Sequence, residues 1–357
     1  MIKLQLFRKT ALLFTAIFII IFTLSCSGKK PDSKTVYITQ VANPETMLTK
    51  LNNSEIDGFL MWEPYPQEAV LKKYGFMLKK SSELWPNHPD CVIAASNQRV
   101  DRSVIQAFVW THVKSTRFIN DPKNSQQVIK YAMEFTGKDR RIVEASLSNI
   151  RWEEFPDEKE FKKYYQQLTK SPVLSKTVTD LGYTSDSDFF KDFLDRKEYE
   201  YVREKLEKDP EWHPEPVRTK KTIRFARIVP GLFHLASYIS EKEGFYEEVG
   251  LVPGKNLVIQ DYPNGIAIMQ KFKTNEIDVA YVGVAPVTLK RINDGVDVRV
   301  IAGVEGQDSG LVVRNGLDID SVADLKGKTL AVPAVGNVQY VILEKAIREA
   351  GLKPVVR

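Results

Sequence analysis

The residues best suited to chemistry in this sequence stand just after short apolar runs and just before segments with helical periodicity. Helix starts carry unpaired backbone N–H groups, which favour an anion or a polar oxygen atom. The residues in such positions are Phe233, His234, Asn264, Gly265, Gly283, Val284, Ala285, Pro286, Val335, Gly336, Asn337, Trp62 and Glu63, with Gln307 and Ser309 expected at the rim. They predict noncovalent contact with a small molecule rather than the making or breaking of a bond.

Each of these residues also has a purely structural interpretation. Gly265 and Gly283 permit tight turns, and Pro286 is favoured in the first turn of any helix. His234 could cap its own helix. Trp62 could pack against its own lobe, although an amphipathic aromatic side chain next to an acid also suits a platform for a ligand. The functional interpretation therefore depends on whether the folded chain brings these residues together.

Sequence patterns typical of enzymes and metal sites are absent. The four histidines, at positions 88, 112, 213 and 234, have no second ligand at metal spacing. No Ser/His/Asp elbow, phosphate-binding loop or Gly-x-Gly-x-x-Gly fingerprint occurs. We therefore expect no catalytic residue, no metal ion and no cofactor.

The elements that must position these residues form a unit that occurs twice. Residues 50–57 run into 58–64, and residues 272–278 run into 279–286, with Glu-Ile-Asp before the apolar run in both copies. Each copy predicts a helix, a polar corner, a short buried strand and a Pro-bearing loop that opens the next helix. In open α/β sheets ligands bind beyond the carboxyl ends of the strands. Two similar lobes with the two loops facing across a cleft are therefore expected.

The first 25 residues have the layout of a secretory signal peptide. Three basic residues precede an apolar run over 11–24, which is too short to span a bilayer comfortably. The run ends at Ser25 and Cys26, and a small residue before a cysteine resembles a bacterial lipoprotein cleavage site. This predicts lipidation of Cys26, a tether over 26–33 and a place in the cell envelope facing the periplasm or the exterior. An uncleaved or ordinarily cleaved signal is the alternative.

Charge and cysteine content agree with an exported binding protein. Loss of the three positive charges in residues 1–25 lowers the formal net charge from +5 to +2. No polybasic footprint for nucleic acid remains. Once Cys26 carries lipid, Cys91 is left alone in an apolar run, where a buried small hydrophobe is expected rather than a disulfide.

Three phrases after residue 222 carry a family resemblance: SEKEGFYEEVGL at 240–251, EIDVA at 276–280 and DLKGKTLAVP at 324–333. With them, residues 222–357 resemble the amino-terminal half of a nitrate/sulfonate/taurine-type substrate-binding protein of an ABC importer. Residues 34–207 resemble the carboxy-terminal half, through EIDGF at 55–59 and WEPY at 62–65. The halves stand in reversed order.

The resemblance implies a two-lobed α/β fold of the type II periplasmic-binding-protein kind, with a mixed sheet flanked by helices in each lobe. A circular permutation explains the reversed order, since termini of compact domains often lie close together. A fragment of a tandem protein is the rival interpretation. The expected parts are a signal peptide (1–25), a tether (26–33), lobe II (34–90 with 326–357), a return strand and helical tail on lobe I (91–207), a linker (208–221), lobe I (222–314) and a hinge (315–325, with 83–90).

The resemblance also implies a function. A monomeric binding protein would capture its ligand by hinge closure and deliver it to an ABC permease in the membrane. No Lys or Arg lies in the candidate loops, which favours a small organic molecule stacked on Trp62 or Phe233 over a bare inorganic anion, with Glu63 pairing to an amine or a ring N–H. The expected ligand is sulfonate-, taurine- or nitrate-like, or pyrimidine-like. An enzyme on the same two-lobed fold, or a sensor without transport, are the alternatives.

Overall fold

The computed structural model describes residues 34–357. The predicted signal peptide, Cys26 and the tether lie outside the described residues. Within 34–357, no helix has both the length and the apolar character needed to cross a membrane.

Strands and helices alternate along the described residues. The strands are β1 Thr35–Gln40, β2 Gly58–Trp62, β3 Gly75–Lys80, β4 Pro89–Ser96, β5 Arg151–Trp152, β6 Ile223–Ile228, β7 Leu257–Tyr262, β8 Val279–Gly283, β9 Val298–Gly306, β10 Ser309–Arg314, β11 Thr329–Val332 and β12 Lys353–Val356. The α-helices are α1 Pro44–Asn52, α2 Tyr65–Leu71, α3 Ser81–Leu84, α4 Arg102–Asn120, α5 Ser125–Thr136, α6 Arg140–Leu147, α7 Glu158–Leu168, α8 Asp186–Phe193, α9 Lys197–Lys208, α10 Leu235–Lys242, α11 Phe245–Glu248, α12 Gly265–Lys273, α13 Val284–Asp294 and α14 Val338–Glu349.

Two six-stranded mixed sheets form the centres of the two lobes. The lobe II sheet has the order β12-β1-β11-β2-β10-β3, in which β12, β1, β11 and β2 are parallel and β10 is antiparallel to both of its neighbours. The lobe I sheet has the order β5-β9-β4-β8-β6-β7, in which β4 is antiparallel to β8 and β9. Central strands such as β2, β4 and β8 are buried along their whole length, as continuous apolar runs predict. The expected two-lobed α/β architecture is confirmed.

The chain crosses between the sheets twice, and one crossing corrects an expected boundary. β10 pairs with β2 and β3, so 309–314 belongs to the lobe II sheet and not to lobe I as the boundary 222–314 required. The crossing lies at Gln307 and Asp308, ahead of the expected hinge at 315–325; Gln307 turns the chain with a φ of 66°. The sequence misplaced this point because an apolar run such as 311–313 does not specify which sheet accepts it.

The aspartate of the repeated sequence unit has the same structural role in both copies. Asp57 accepts a hydrogen bond from the backbone N–H of Thr329 at 2.9 Å, and Asp278 accepts one from the backbone N–H of Arg224 at 2.8 Å. Each donor lies on the parallel neighbour of the strand that follows the aspartate. Arg314 pairs with Asp57 at 3.1 Å, and Arg224 pairs with Asp278 at 2.8 Å. The aspartates therefore fix β2 and β8 beside their neighbours in the same way.

Helices cover both sheets and add a second small core. Asp101, Asp139 and Asp157 cap the starts of α4, α6 and α7 by accepting hydrogen bonds from backbone N–H groups three residues on. α4 packs against β9, α9 and α10. Beneath α5 and α6, apolar side chains including Val128 and Leu235 form a separate cluster. α6 also packs on α2 of lobe II, so the helices on lobe I reach across the cleft.

Candidate functional site

A small cavity of about 20 Å³ lies where the carboxyl ends of the two repeated strands meet. Trp62 ends β2 in lobe II and Gly283 ends β8 in lobe I, and both line the cavity. Lobe II also contributes Asn337, Val338 and Gln339 from the start of α14. The walls therefore come from both lobes, as the position of ligand sites in open α/β sheets predicts.

Trp62 and Phe233 close one side of this cavity. Their ring centroids lie 5.5 Å apart with an interplanar angle of 71°, an edge-to-face contact between lobe II and lobe I. Such aromatic pairs contribute roughly 0.5–1.5 kcal/mol beyond the area they bury. Both side chains are buried, and Ile228 at the end of β6 lies in the same wall.

Another part of the cavity wall is a close contact at the starts of α12 and α13 that glycine makes possible. A Cβ on Gly265 would lie 2.8 Å from Cγ of Pro286, and one on Gly283 would lie 3.2 Å from Cδ of the same proline. Gly283 also approaches Val338 of lobe II, at 3.4 Å from Cγ2. These glycines therefore permit close packing and also line the cavity wall.

A group of buried carboxyl groups stands at the crossing between the lobes. Asp90 on β4 and Asp308 between β9 and β10 line the cavity, together with Cys91. Burial, and then the neighbouring Asp308 and Glu305, raise the pKa of Asp90 well above its usual range. Burial likewise raises the pKa of Glu305 and of Asp308. Acidic side chains are thus concentrated at one end of the cavity.

The same crossing holds the one group of possible metal-ligating side chains found within residues 34–357. Ligand atoms of Asp90, Cys91 and Glu305 lie within 4.8 Å of one another and are buried. Sequence spacing did not anticipate this group, because β4 and β9 bring positions 91 and 305 into register only in the folded sheet.

His234 lies outside the cavity wall, in contact with it only through its neighbours. Its Nδ1 accepts a hydrogen bond from the backbone N–H of Ile228 at 2.9 Å, and its ring stands edge-on to Tyr281 at 5.4 Å. Burial, then the charge of Arg227, lower the pKa of His234, which keeps the ring neutral. It makes no side-chain cap on α10, so the capping interpretation is wrong.

Glu63 also lies outside the wall, although it directly follows Trp62. Its carboxyl accepts hydrogen bonds from Asn149 Nδ2 at 2.7 Å and from Ser146 Oγ at 3.1 Å. Burial raises the pKa of Glu63 to about 8. The expected pairing of Glu63 with a ligand amine is therefore not what the structure shows, because both oxygens face the helical region on lobe I.

The remaining candidate residues take supporting positions. Asn264 caps α12 by accepting from the N–H of Ala267 at 2.9 Å, and Ser309 donates to Asp308 at 2.7 Å. Of the candidates, the structure brings six together in the cavity wall: Trp62, Phe233, Gly265, Gly283, Pro286 and Asn337. Those in supporting positions are His234, Glu63, Asn264, Val284, Ala285, Gln307, Ser309, Val335 and Gly336.

Sequence reasoning missed the carboxyl groups and Gln339. Asp90 precedes the apolar run that forms β4, and Asp308 stands between the apolar runs of β9 and β10. An acid at the edge of a long buried run was the available signal, but it is also what an ordinary turn contains.

Two family models match the chain. The NMT1-like family matches residues 20–133, and the family described as NMT1/THI5 like matches residues 233–355. Together they span about two thirds of the sequence, one in each half.

Curated relatives are distant and much longer than the matched regions. The chain is 21% identical over 165 residues to the nitrate/nitrite binding protein NrtA of Nostoc sp., which is 44% of this chain and 37% of that protein. It is 24% identical over 90 residues to the nitrate import ATP-binding protein NrtC of Synechocystis sp., which is 25% of this chain and 13% of that protein. The chain thus spans well under two thirds of either relative.

Among solved structures, a histidine kinase sensor domain with similarity to periplasmic binding proteins is 19% identical, with a TM-score of 0.19. The match covers 39% of this chain and 50% of that one.

Proposed function

We propose that the chain, which NMT1-like and NMT1/THI5-like family models match over 20–133 and 233–355, captures a small organic molecule between its two lobes, as the nitrate/sulfonate/taurine-type substrate-binding proteins that its sequence resembles would do. The observation that carries the proposal is the cavity whose walls come from both lobes. A ligand that touches both lobes stabilises the closed arrangement over an open one.

Polar contacts between the lobes support closure as the binding step. Lys138 of the lobe I helices pairs with Glu68 of lobe II at 2.7 Å and with Glu45 at 2.6 Å. Ser171 donates a hydrogen bond to Glu344 of α14 at 2.7 Å. These contacts exist only while the lobes are together, so they favour the closed arrangement along with the aromatic contact between Trp62 and Phe233.

The composition of the cavity wall supports an organic ligand over a bare inorganic anion. Its lining residues include no Lys or Arg, and Trp62, Phe233, Ile228 and Pro286 give an apolar surface. Small-molecule sites are largely apolar with a few placed polar groups. A mainly apolar body with polar ends is the best match.

The proposed partners are an ABC permease and its ATPase, which the NrtA and NrtC relatives support. The proposed location is outside the cytoplasm, with a lipid on Cys26 as tether. Replacement of Cys26 by Ala should release the protein from the membrane fraction; retention in membranes by that variant would contradict the lipid tether.

We further propose that the halves are circularly permuted. The first described strand, β1, lies beside the last, β12, in one parallel sheet, and the 209–222 segment connects α9 to β6. A fragment of a tandem protein is the rival. Analytical ultracentrifugation and thermal unfolding together distinguish the two hypotheses. A monomer that unfolds in a single cooperative transition supports permutation, and association of copies supports the fragment.

An enzyme on the same fold or a sensor without transport are the alternatives. Buried carboxyl groups in a cavity are compatible with acid–base chemistry, and turnover of a bound ligand would favour the enzyme. Permease and ATPase genes beside this one would favour import over sensing.

Thermal unfolding of the full chain in mild detergent tests the proposed function, with nitrate, bicarbonate, taurine, alkyl and aryl sulfonates, pyrimidines and aryl amines as probes. A ligand at about 100 times its Kd stabilises the protein by roughly 2.7 kcal/mol. A rise for one chemical class supports capture. An unchanged transition across all classes would count against it.

A further inference from the structure

Three buried polar atoms at the cavity have no hydrogen-bond partner among the residues that the structure describes. They are Asp90 Oδ2, Asn337 Oδ1 and Trp62 Nε1, on side chains that are 2%, 5% and 4% exposed. A buried polar atom left unpaired costs roughly 1–3 kcal/mol. Such atoms in one cavity indicate a ligand that supplies the missing partners.

The three atoms belong to three different elements of the fold, so no single local turn explains why they lack partners. Asp90 lies on β4, Trp62 ends β2, and Asn337 precedes α14. Asn337 stands at the helix N-cap, yet its side chain makes no cap hydrogen bond, so its oxygen remains available to a ligand.

The titratable residues of the cavity wall are Asp90, Cys91 and Asp308, and none is basic. The neighbouring Asp308 adds to the effect of burial in raising the pKa of Asp90. Ser309 donates to Asp308 Oδ1 at 2.7 Å, and Gln339 Nε2 donates to that serine at 3.0 Å, which fixes the orientation of Asp308. The charge of Arg151 acts to lower the pKa of the neighbouring Glu305. Arg151 is not part of the cavity wall, however, and pairs with Glu153 at 3.0 Å. The cavity wall therefore holds acids and no cation, and a positively charged ligand would favour the ionised form of these acids.

We propose that the cavity binds a small organic cation whose protonated amine contacts Asp90 and Asp308, and whose apolar body packs against Trp62 and Phe233 when the lobes part to admit it. An oxygen or nitrogen acceptor on the same molecule receives the Trp62 Nε1–H, and a donor on it reaches Asn337 Oδ1. This inference rests on the proposed function and names the ligand class of that site.

An organic cation fits better than a metal ion. The unpaired Trp62 N–H is a donor, which cannot coordinate a metal. The aromatic pair at 5.5 Å gives an apolar body a surface that an ion would leave unused. A divalent cation on the Asp90, Cys91 and Glu305 group remains a distinct outcome that the experiment identifies.

The experiment measures binding to the full chain, in mild detergent, by isothermal titration calorimetry. Three probes of similar shape differ in charge: 4-methoxybenzylamine is the cation, 4-methoxybenzyl alcohol the neutral form and 4-methoxybenzoate the anion. Nitrate is added as an inorganic anion, and calcium and zinc chlorides as metal ions. We expect the amine to bind at least tenfold more tightly than the alcohol and the anions. Asp308→Asn should lose at least tenfold in amine affinity, and Trp62→Phe should lose affinity for the methoxy amine but not for benzylamine.

Glu198→Gln is the matched control, because it neutralises another buried carboxyl, which pairs with Arg102 at 2.9 Å and is not part of the cavity wall. It should leave amine affinity unchanged; should Asp308→Asn fail to fold, Asp90→Asn replaces it. Tighter binding of the alcohol or an anion overturns the inference while the proposed capture function stands. Binding of calcium or zinc without amine binding overturns it in favour of a metal site. A chain that binds no probe contradicts both proposals.

Discussion

The Trp62 and Phe233 rings meet edge-to-face at 5.5 Å across the boundary between the lobes. Trp62 ends the strand of one repeated unit, and Phe233 lies in the short helical turn Leu232–His234 after β6 of the other lobe. This contact joins the lobes directly at the cavity, so the side chains that a ligand would touch are also those that hold the closed arrangement. Ligand affinity and closure should therefore respond to the same substitutions.

Replacement of Trp62 by Ala should raise the Kd of any ligand of the cavity at least tenfold. The change removes an aromatic contact and the apolar area buried against the ligand, together worth about 1.4 kcal/mol or more. Calorimetric titration measures the change. Trp212→Ala, which removes a tryptophan paired with Tyr201 in the segment between the halves, should leave Kd unchanged. Full affinity in Trp62→Ala would show that this side chain is only structural.

Lys138→Met should favour the open arrangement. The side chain is 13% exposed and pairs with Glu68 and Glu45 of lobe II, so its loss leaves Glu68 buried without its partner across the cleft. We expect a larger radius of gyration by small-angle X-ray scattering and a roughly five- to thirtyfold weaker ligand affinity, about 1–2 kcal/mol. Lys162→Met breaks a surface pair with Glu158 within α7 and is the control. Equal scattering curves for both variants would contradict the closure role.

Glu63→Gln should stabilise the protein at alkaline pH. Burial raises the pKa of Glu63 to about 8, so between its ordinary pKa and 8 the native state holds a proton that the unfolded state has lost. The free energy of unfolding of the parent therefore falls as pH rises through this window, and a glutamine removes that loss. At pH 9 the variant should be more stable by on the order of 2–4 kcal/mol, and at pH 5 the two should differ little. Urea unfolding at both pH values measures this, with exposed Glu144→Gln as control.

Asp278→Asn should destabilise the protein more than Asp57→Asn. Asp278 is buried and accepts from the side chains of Arg99 and Arg224, whereas Asp57 is partly exposed and has one arginine partner. We expect losses of about 2–4 and about 1–2 kcal/mol respectively in urea unfolding. Equal losses would mean that the two repeated positions are energetically equivalent.

The acid limb of the unfolding curve offers a separate check on Asp278. Burial alone would raise its pKa, but hydrogen bonds from Arg224 and Arg99 outweigh that and lower it. Its contribution is present above the ordinary aspartate pKa and is lost as pH falls below about 4. The parent should therefore lose stability below pH 4 more steeply than Asp278→Asn. Parallel acid limbs would contradict this assignment.

Local sequence was enough for the two repeated strands and for the two-lobed plan. The repeated Glu-Ile-Asp followed by an apolar run predicted β2 and β8, because a continuous apolar run suits a strand buried on both faces. The same positions led to Trp62 and Gly283 at the strand ends, and both line the cavity. These features depend on neighbours along the chain, which a single sequence contains.

The tertiary structure alone decided which side chains share the cavity. Asp90 and Asp308 stand more than 200 positions apart and meet only because the chain crosses between the lobes at both places. Glu63 adjoins Trp62 in sequence, yet its carboxyl turns to Ser146 and Asn149, since the end of a strand directs successive side chains to opposite sides. Apolar periodicity specifies burial but not the partner, so the strand at 309–314 and the acids beside it were assigned only by the pairing of the folded sheets.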